Sequence, residues 1–372
     1  MKTFLSALSL LIITSCSSSK TTVSKSSDRP FYVGTYTRND SKSKGIYQYL
    51  LKKDGTLQKV GLKATTKNPS FLSFNADKTT LLAANELEID GSGAITAYAI
   101  DNDSLVFKNT ISSGGTNPCF VTTTSNNYVL AANYNSGTVG LLQLQDDGHL
   151  SQLLYTQKHV GKGKHDRQDA PHAHSVWTVP NSNQIIAVDL GTNQLWFSEI
   201  DTQTNTLKPT EPLLLDMAEG AGPRHLTFHP NKPYLYVLNE LNNTITRVEK
   251  NNNNYTAKES ISTLPDAFTG ENTSADIHIS NDGKFVYSSN RGHDSIVIFK
   301  VDPDNGQLTF IAHESTRGKT PRNFSLTPQN DFLIVANQHS DNMVSFKRDK
   351  KTGLLTFVDT IEAPRPVCIL FE

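Results

Sequence analysis

A short apolar strand, a turn rich in Asn, Asp, Gly or Pro, and a second strand ending in a small polar motif recur along this chain at a nearly fixed interval. Asn68-Pro-Ser-Phe-Leu-Ser-Phe leads to Leu82-Ala-Ala-Asn-Glu86, and Asn117-Pro-Cys-Phe-Val leads to Leu130-Ala-Ala-Asn-Tyr134. The later copies open on Pro171-His-Ala-His, Gly222-Pro-Arg-His, Ser274-Ala-Asp and Pro321-Arg-Asn. Taking Thr35, Asn85, Asn133, Asp189, Asn239, Asn290 and Asn337 as equivalent points gives gaps of 50, 48, 56, 50, 51 and 47 residues. Each unit continues with two more alternating segments, such as Ser295-Ile-Val-Ile-Phe-Lys-Val301 and Leu308-Thr-Phe-Ile311, joined by turn-rich sequence. Period-2 alternation excludes a helical solenoid, and the long repeat excludes a β-helix. The spacing predicts an all-β chain, a seven-bladed β-propeller of four-stranded antiparallel blades.

The ends indicate how the ring closes. The first unit begins at its second strand, Phe31 to Thr37, whereas Arg365-Pro-Val-Cys-Ile-Leu-Phe371 is a first strand with nothing after it. Pairing the N- and C-terminal strands completes one blade and removes two exposed edges.

Outside the repeat, Lys2 and the apolar run Phe4 to Ile13 read as an export signal, too short to span a hydrocarbon core of about 30 Å. Ile13-Thr-Ser-Cys16 resembles a bacterial lipobox, which makes 1–15 a lipoprotein signal peptide and Cys16 the lipidated residue. A plain signal peptide cut near Ser15 is the alternative. Residues 16–29 are then a flexible tether and 30–372 the propeller. The expected location is the bacterial envelope, periplasmic or outer surface, with the membrane touched only through the lipid anchor. Thirty-five Lys+Arg against 36 Asp+Glu, a net charge of -1, argue against a nucleic-acid partner. Cys119 and Cys368 fall on non-adjacent blades, too far apart for a disulfide.

Propeller topology puts the entry into each first strand and the exit from each second strand at one mouth. Polar residues from six blades gather there, a concave setting for a small polar ligand. Glu240 is the candidate base and Arg224 its catalytic partner, with a structural ion pair as the alternative for Glu240. Arg224, Arg291 and Arg322 suit bidentate binding of carboxylate or phosphate. His172 and His174 share a strand face by period two; His172 is the candidate proton donor, His174 a residue that contacts substrate or packs. Asn133, Asn290 and Asn337 join Arg291, Arg322 and His174 as candidate substrate-binding residues. The segment Lys158 to Arg167, inside the longest gap, reads either as a solvated loop or as an attractor for an anionic substrate. No metal site, nucleophile elbow or phosphate loop is evident, and no cofactor is expected.

Gly222-Pro-Arg-His-Leu-Thr-Phe-His-Pro230 with Tyr236-Val-Leu-Asn-Glu-Leu241, Ser289-Asn-Arg-Gly-His-Asp-Ser295, and Pro321-Arg-Asn-Phe with Ala336-Asn-Gln338 resemble the seven-bladed propeller lactonases. That family includes propeller-type 6-phosphogluconolactonases and fungal carboxy-muconate cycloisomerases, and the resemblance covers roughly Phe31 to Phe371. One departure is Asn193, where the family often carries an aspartate. The resemblance implies opening of a sugar lactone to the aldonate without a nicotinamide cofactor; with a rim rich in Arg and Asn the reaction is read as metal-independent, and the chain is expected to be a monomer. Muconate-type cycloisomerisation, or a non-catalytic surface propeller binding a glycan or protein, are the alternatives.

Overall fold

The computed structural model describes residues 28–89, 91–102, 104–252 and 254–372. The expected signal peptide, Cys16 and the expected tether up to residue 27 lie outside them. Among the described residues no helix is long and apolar enough to cross a membrane.

Seven four-stranded antiparallel sheets are arranged as blades. Blade 1 is composite: Pro366–Phe371 is its innermost strand and pairs with Arg29–Thr35 through Phe31↔Phe371, Tyr32↔Leu370 and Val33↔Ile369. Blades 2 to 7 begin on the inner strands Pro69–Phe74, Pro118–Thr123, Ala173–Thr178, Pro223–Phe228, Thr273–Ile279 and Pro321–Leu326. The first strand starts at Arg29, whose guanidinium reaches Asp331 of blade 7 at 2.6 Å, and Lys52 holds Asp28 at 2.7 Å.

Core residues interleave between neighbouring blades. Phe31, Tyr49 and Ile369 of blade 1 pack with Phe332, Ile334 and Met343 of blade 7, so the closing seam is as apolar as the others.

Two local features at the inner strands shape the mouth. Asn68, Asn117, Gly222, Thr320 and Arg365 each carry a positive φ between 43° and 62° directly before a proline. The chain thus enters through a left-handed step that Asn and Gly tolerate, and the proline opens a strand whose free edge faces the channel. One position further on, every inner strand carries a β-bulge. The register slips between Pro69/Phe71, Pro118/Phe120, Ala173/Ser175, Pro223/His225, Ser274/Ile277, Pro321/Asn323 and Gly34/Thr35. A bulge breaks period-2 alternation and re-aims a side chain. The extra residues include Ser70, Cys119, His174, Arg224, Arg322 and Val367, and all but His174 line one crevice deep in the channel.

Candidate active site

The mouth holds a cavity of about 250 Å³ lined by Tyr36, Glu86, Cys119, Tyr134, Arg167, His174, Glu240, Arg291 and Arg322 among others. A crevice of about 10 Å³, lined by Cys119, Arg224, His225 and Arg322, lies beneath it. A larger cleft of about 460 Å³ sits against the opposite turns near Tyr128 and Pro180, but its lining contains no charged side chain. Carboxylate, guanidinium and imidazole side chains come together in the mouth cavity.

Glu240 is the centre of the mouth. It is 2% exposed, and three guanidinium groups approach it: Arg167 at 2.7 Å, Arg224 at 2.8 Å and Arg291 at 2.9 Å. Arg224 Nε and Glu240 Oε2 are close but out of line for a hydrogen bond, so that contact is electrostatic rather than directed. Burial by itself would raise the carboxyl pKa. Arg291, Arg224 and Arg167 outweigh it and hold the group at about 2. Burial, with Arg291 and Arg322 nearby, in turn lowers Arg224 to about 9.

On the other side of the cavity, Tyr36 donates to Glu86 Oε2 at 2.7 Å and Arg38 to Oε1 at 3.1 Å. Arg322 lies over the Tyr36 ring at 5.5 Å and has no carboxylate within 4.0 Å among the described residues. Five arginines, at 38, 167, 224, 291 and 322, thus surround two glutamates.

The two histidines separate. His174 Nε2 lies 3.8 Å from Glu240 Oε2, and burial with Arg224 and His225 nearby keeps its pKa well below the usual value, so the ring is neutral. His172 is not part of the cavity lining. It stacks on Tyr134 at 4.5 Å, with Nδ1 against the Tyr134 carbonyl at 2.9 Å and Nε2 toward Asp169. His172, expected as the proton donor, thus stands outside the lining: the bulge at His174 breaks the alternation that had put both on one face.

Asn133, Asn290 and Asn337 are likewise turned away from the mouth. Each is wholly buried, and each side-chain amide donates to a backbone carbonyl of the preceding connection, at Ser113, Thr263 and Thr316, at 2.8–2.9 Å. They tie strands together, and none of these three expected substrate-binding residues lines the mouth cavity. At five of the seven equivalent repeat positions the next residue lines the cavity, namely Tyr36, Glu86, Tyr134, Glu240 and Arg291, whereas Leu190 and Gln338 do not. That offset was readable in the repeat, and it would have singled out Tyr36 and Glu86.

Asn193 lies in neither cavity. Its amide donates to Met217 O and Ala218 O at 3.0 and 2.8 Å, and its oxygen accepts from Gln168 and Gly222 N. A side chain that must both donate and accept here explains the amide, so this departure does not bear on the ligand. Gln168 is buried and anchors the connection that delivers Arg167 to Glu240. Of the segment Lys158 to Arg167, which the sequence leaves open as a solvated loop or an attractor for an anionic substrate, Arg167 lines the cavity. Among the described residues no three His, Cys, Asp or Glu side chains are grouped to hold a metal ion.

A ring of seven blades around an arginine-bound carboxylate defines a propeller with a polar funnel, and residues 30–371 match the family model for the seven-bladed β-propeller lactonases. The chain belongs to that family. It is 39% identical to a Bacillus subtilis 6-phosphogluconolactonase over 347 residues, 91% of this chain and 97% of that one. The periplasmic gluconolactonase of Pseudomonas aeruginosa superposes with a TM-score of 0.88 at 30% identity, covering 93% of this chain and 99% of its own. A Lactobacillus plantarum protein of known structure gives 0.87 at 33% identity, covering 93% and 99%.

Proposed function

We propose that this chain hydrolyses the ring ester of a sugar lactone to the open-chain aldonate, using Glu240 and its arginines and no metal. The observation that carries the reading is a buried, ionised carboxylate surrounded by guanidinium groups at the wall of a cavity sized for a monosaccharide. The relatives named as lactonases support it.

In this reading Glu240 takes a proton from water as the water oxygen attacks the lactone carbonyl. Negative charge appears on the carbonyl oxygen, where Arg291 and Arg224 stabilise it. The ring C–O bond then breaks, and Glu240 returns its proton to the ring oxygen as it leaves. One water is consumed, and the carboxylic acid released loses its proton to solvent. A carboxylate with a pKa of about 2 is a weak base. The forming oxyanion competes for the same guanidinium groups, so Glu240 becomes more basic as the reaction proceeds. Arg322, free of a carboxylate, is proposed to hold an anionic or hydroxyl-rich part of the substrate, and neutral His174 to orient it.

We also propose that the protein acts outside the cytoplasm on a lipid carried by Cys16. The lipobox-like Ile13-Thr-Ser-Cys16 supports this, and so does the periplasmic location of the Pseudomonas relative.

The test is acid release, followed by pH-stat, from a panel of five- and six-membered sugar lactones with and without a phosphate, in chelator. Turnover of at least one lactone above its spontaneous rate, retained in chelator, is expected. A panel with no enzyme-dependent acid release would refute the proposal.

A further inference from the structure

Arg224 touches Glu240 on one side, and on the other it begins a polar chain that descends through the centre of the ring. Its Nη1 donates to Ala275 O of the next blade and faces His225 Nε2 at 3.4 Å. His225 Nδ1 lies 2.9 Å from Asp276 Oδ1. Asp276 is also met by Ile277 N at 3.0 Å, His278 Nε2 at 3.1 Å, Asn323 Nδ2 at 2.6 Å and Phe324 N at 3.3 Å. Asn323 in turn accepts from Ile369 N of blade 1 at 2.7 Å. The inner strands of blades 5, 6, 7 and 1 are thereby joined through one carboxylate. Asp276 does not line the mouth cavity.

The protons in this chain can be assigned from chemistry. Five donors surround the Asp276 carboxylate, and two of them, His278 and His225, overcome burial and keep it ionised. An ionised carboxylate only accepts, so His225 Nδ1 carries a hydrogen. His225 is walled in by Phe71, Phe120 and Trp177, and burial beside Arg224 pushes its pKa down to about 4. The ring is therefore neutral, and its Nε2 offers a lone pair to Arg224.

We propose that Asp276 is a positioning residue of the site: by fixing the tautomer of His225 it gives Arg224 an acceptor and holds that guanidinium against Glu240 in the orientation the reaction uses. This rests on the lactone-hydrolase reading above for its kinetic consequence, but not for its structural one. Orientation through a second residue is how carboxylates tune catalytic imidazoles elsewhere. Here the residue finally oriented is an arginine.

Asp276→Asn keeps the size of the side chain but can donate. An amide N–H turned toward His225 Nδ1 drives the imidazole to its other tautomer, so Nε2–H meets Arg224 Nη1–H, donor against donor. A displacement of about 1 Å costs about 100-fold. The expected result is a kcat about 100-fold lower with KM changed by less than about threefold. The ¹⁵N shifts of His225 should report Nδ1–H in the parent and Nε2–H in the variant. His225→Gln, which can accept from Arg224 and donate to Asp276, should keep kcat within about threefold, whereas His225→Leu should fall as Asp276→Asn does.

A folded Asp276→Asn protein with parental kcat and an unchanged tautomer overturns the proposal, as does a fully active His225→Leu. If Asp276→Asn does not fold, the His225 pair decides. If the parent turns over no lactone, the hydrolase reading fails, and the tautomer of His225 in the two proteins still decides whether Asp276 sets it.

Discussion

Replacing Glu240 by Gln removes one negative charge from among three guanidinium groups while preserving shape, and the structure sets the size of the effect. The carboxyl moves from an ordinary 4.5 to about 2, and the residue is 2% exposed, so solvent screening is weak. A difference of about 2.5 units corresponds to ~3.4 kcal/mol of folding stability. The folded-state value is the depressed one. The contribution is therefore complete above about pH 4.5 and is lost as pH falls through about 2, with ~1.4 kcal/mol left at pH 3. For a domain of this length, ~3.4 kcal/mol corresponds to about 5 °C in Tm. Differential scanning calorimetry of the parent and Glu240→Gln should show a gap of about 5 °C at pH 7 that narrows to about 2 °C at pH 3. In the same samples lactone turnover at pH 7 should fall by at least about 100-fold. A variant that melts with the parent at both pH values would show that the carboxylate does not hold the arginines in place. Lost turnover with an unchanged Tm would separate catalysis from the ion cluster, and the energetic argument would be wrong.

Removing Pro366–Glu372 takes away the inner strand of blade 1 with Val367, Ile369 and Phe371; at about 2 kcal/mol for each buried apolar side chain, a loss of ~6 kcal/mol or more is expected. A truncated chain with the parental Tm would contradict closure by the terminal strands. Cys119 and Cys368 are buried and free, and burial pushes both thiols up to about 12, so neither should react with iodoacetamide at pH 8 until the protein is unfolded. Labelling of the native protein at either, read by mass spectrometry, would refute this. Asn193→Asp puts a carboxylate against Met217 O and Ala218 O and should cost about 2 kcal/mol, seen as a lower urea midpoint with the same slope. An unchanged midpoint would show that the amide is dispensable there.

The architecture was legible because a propeller repeats one solution seven times, so that weak signals such as Asn-Pro before a strand reinforce one another. Even the shared blade could be read, since Arg365 to Phe371 lacks only a partner that Phe31 to Thr35 supplies. The site was legible in part. Glu240, Arg224, Arg291 and Arg322 stood out as charges in otherwise small polar motifs, and the structure brings all four to one funnel. What misled was the assumption that alternation continues through the start of each inner strand. A bulge at that point adds one residue, and every side chain beyond it changes face. His172 and His174 were paired on that assumption, and the bulge sends His174 to Glu240 and leaves His172 stacked on Tyr134. The asparagines misled for a different reason. A polar residue repeated at equivalent positions looks like a shared binding function, yet here the requirement it meets is internal: each amide satisfies a carbonyl left open where the chain crosses from one blade to the next. Repetition thus marks what every blade needs to close. The side chains that line the cavity come from where the repeat varies, at the neighbouring position occupied by Tyr36, Glu86, Tyr134, Glu240 and Arg291, where blade closure does not fix the residue.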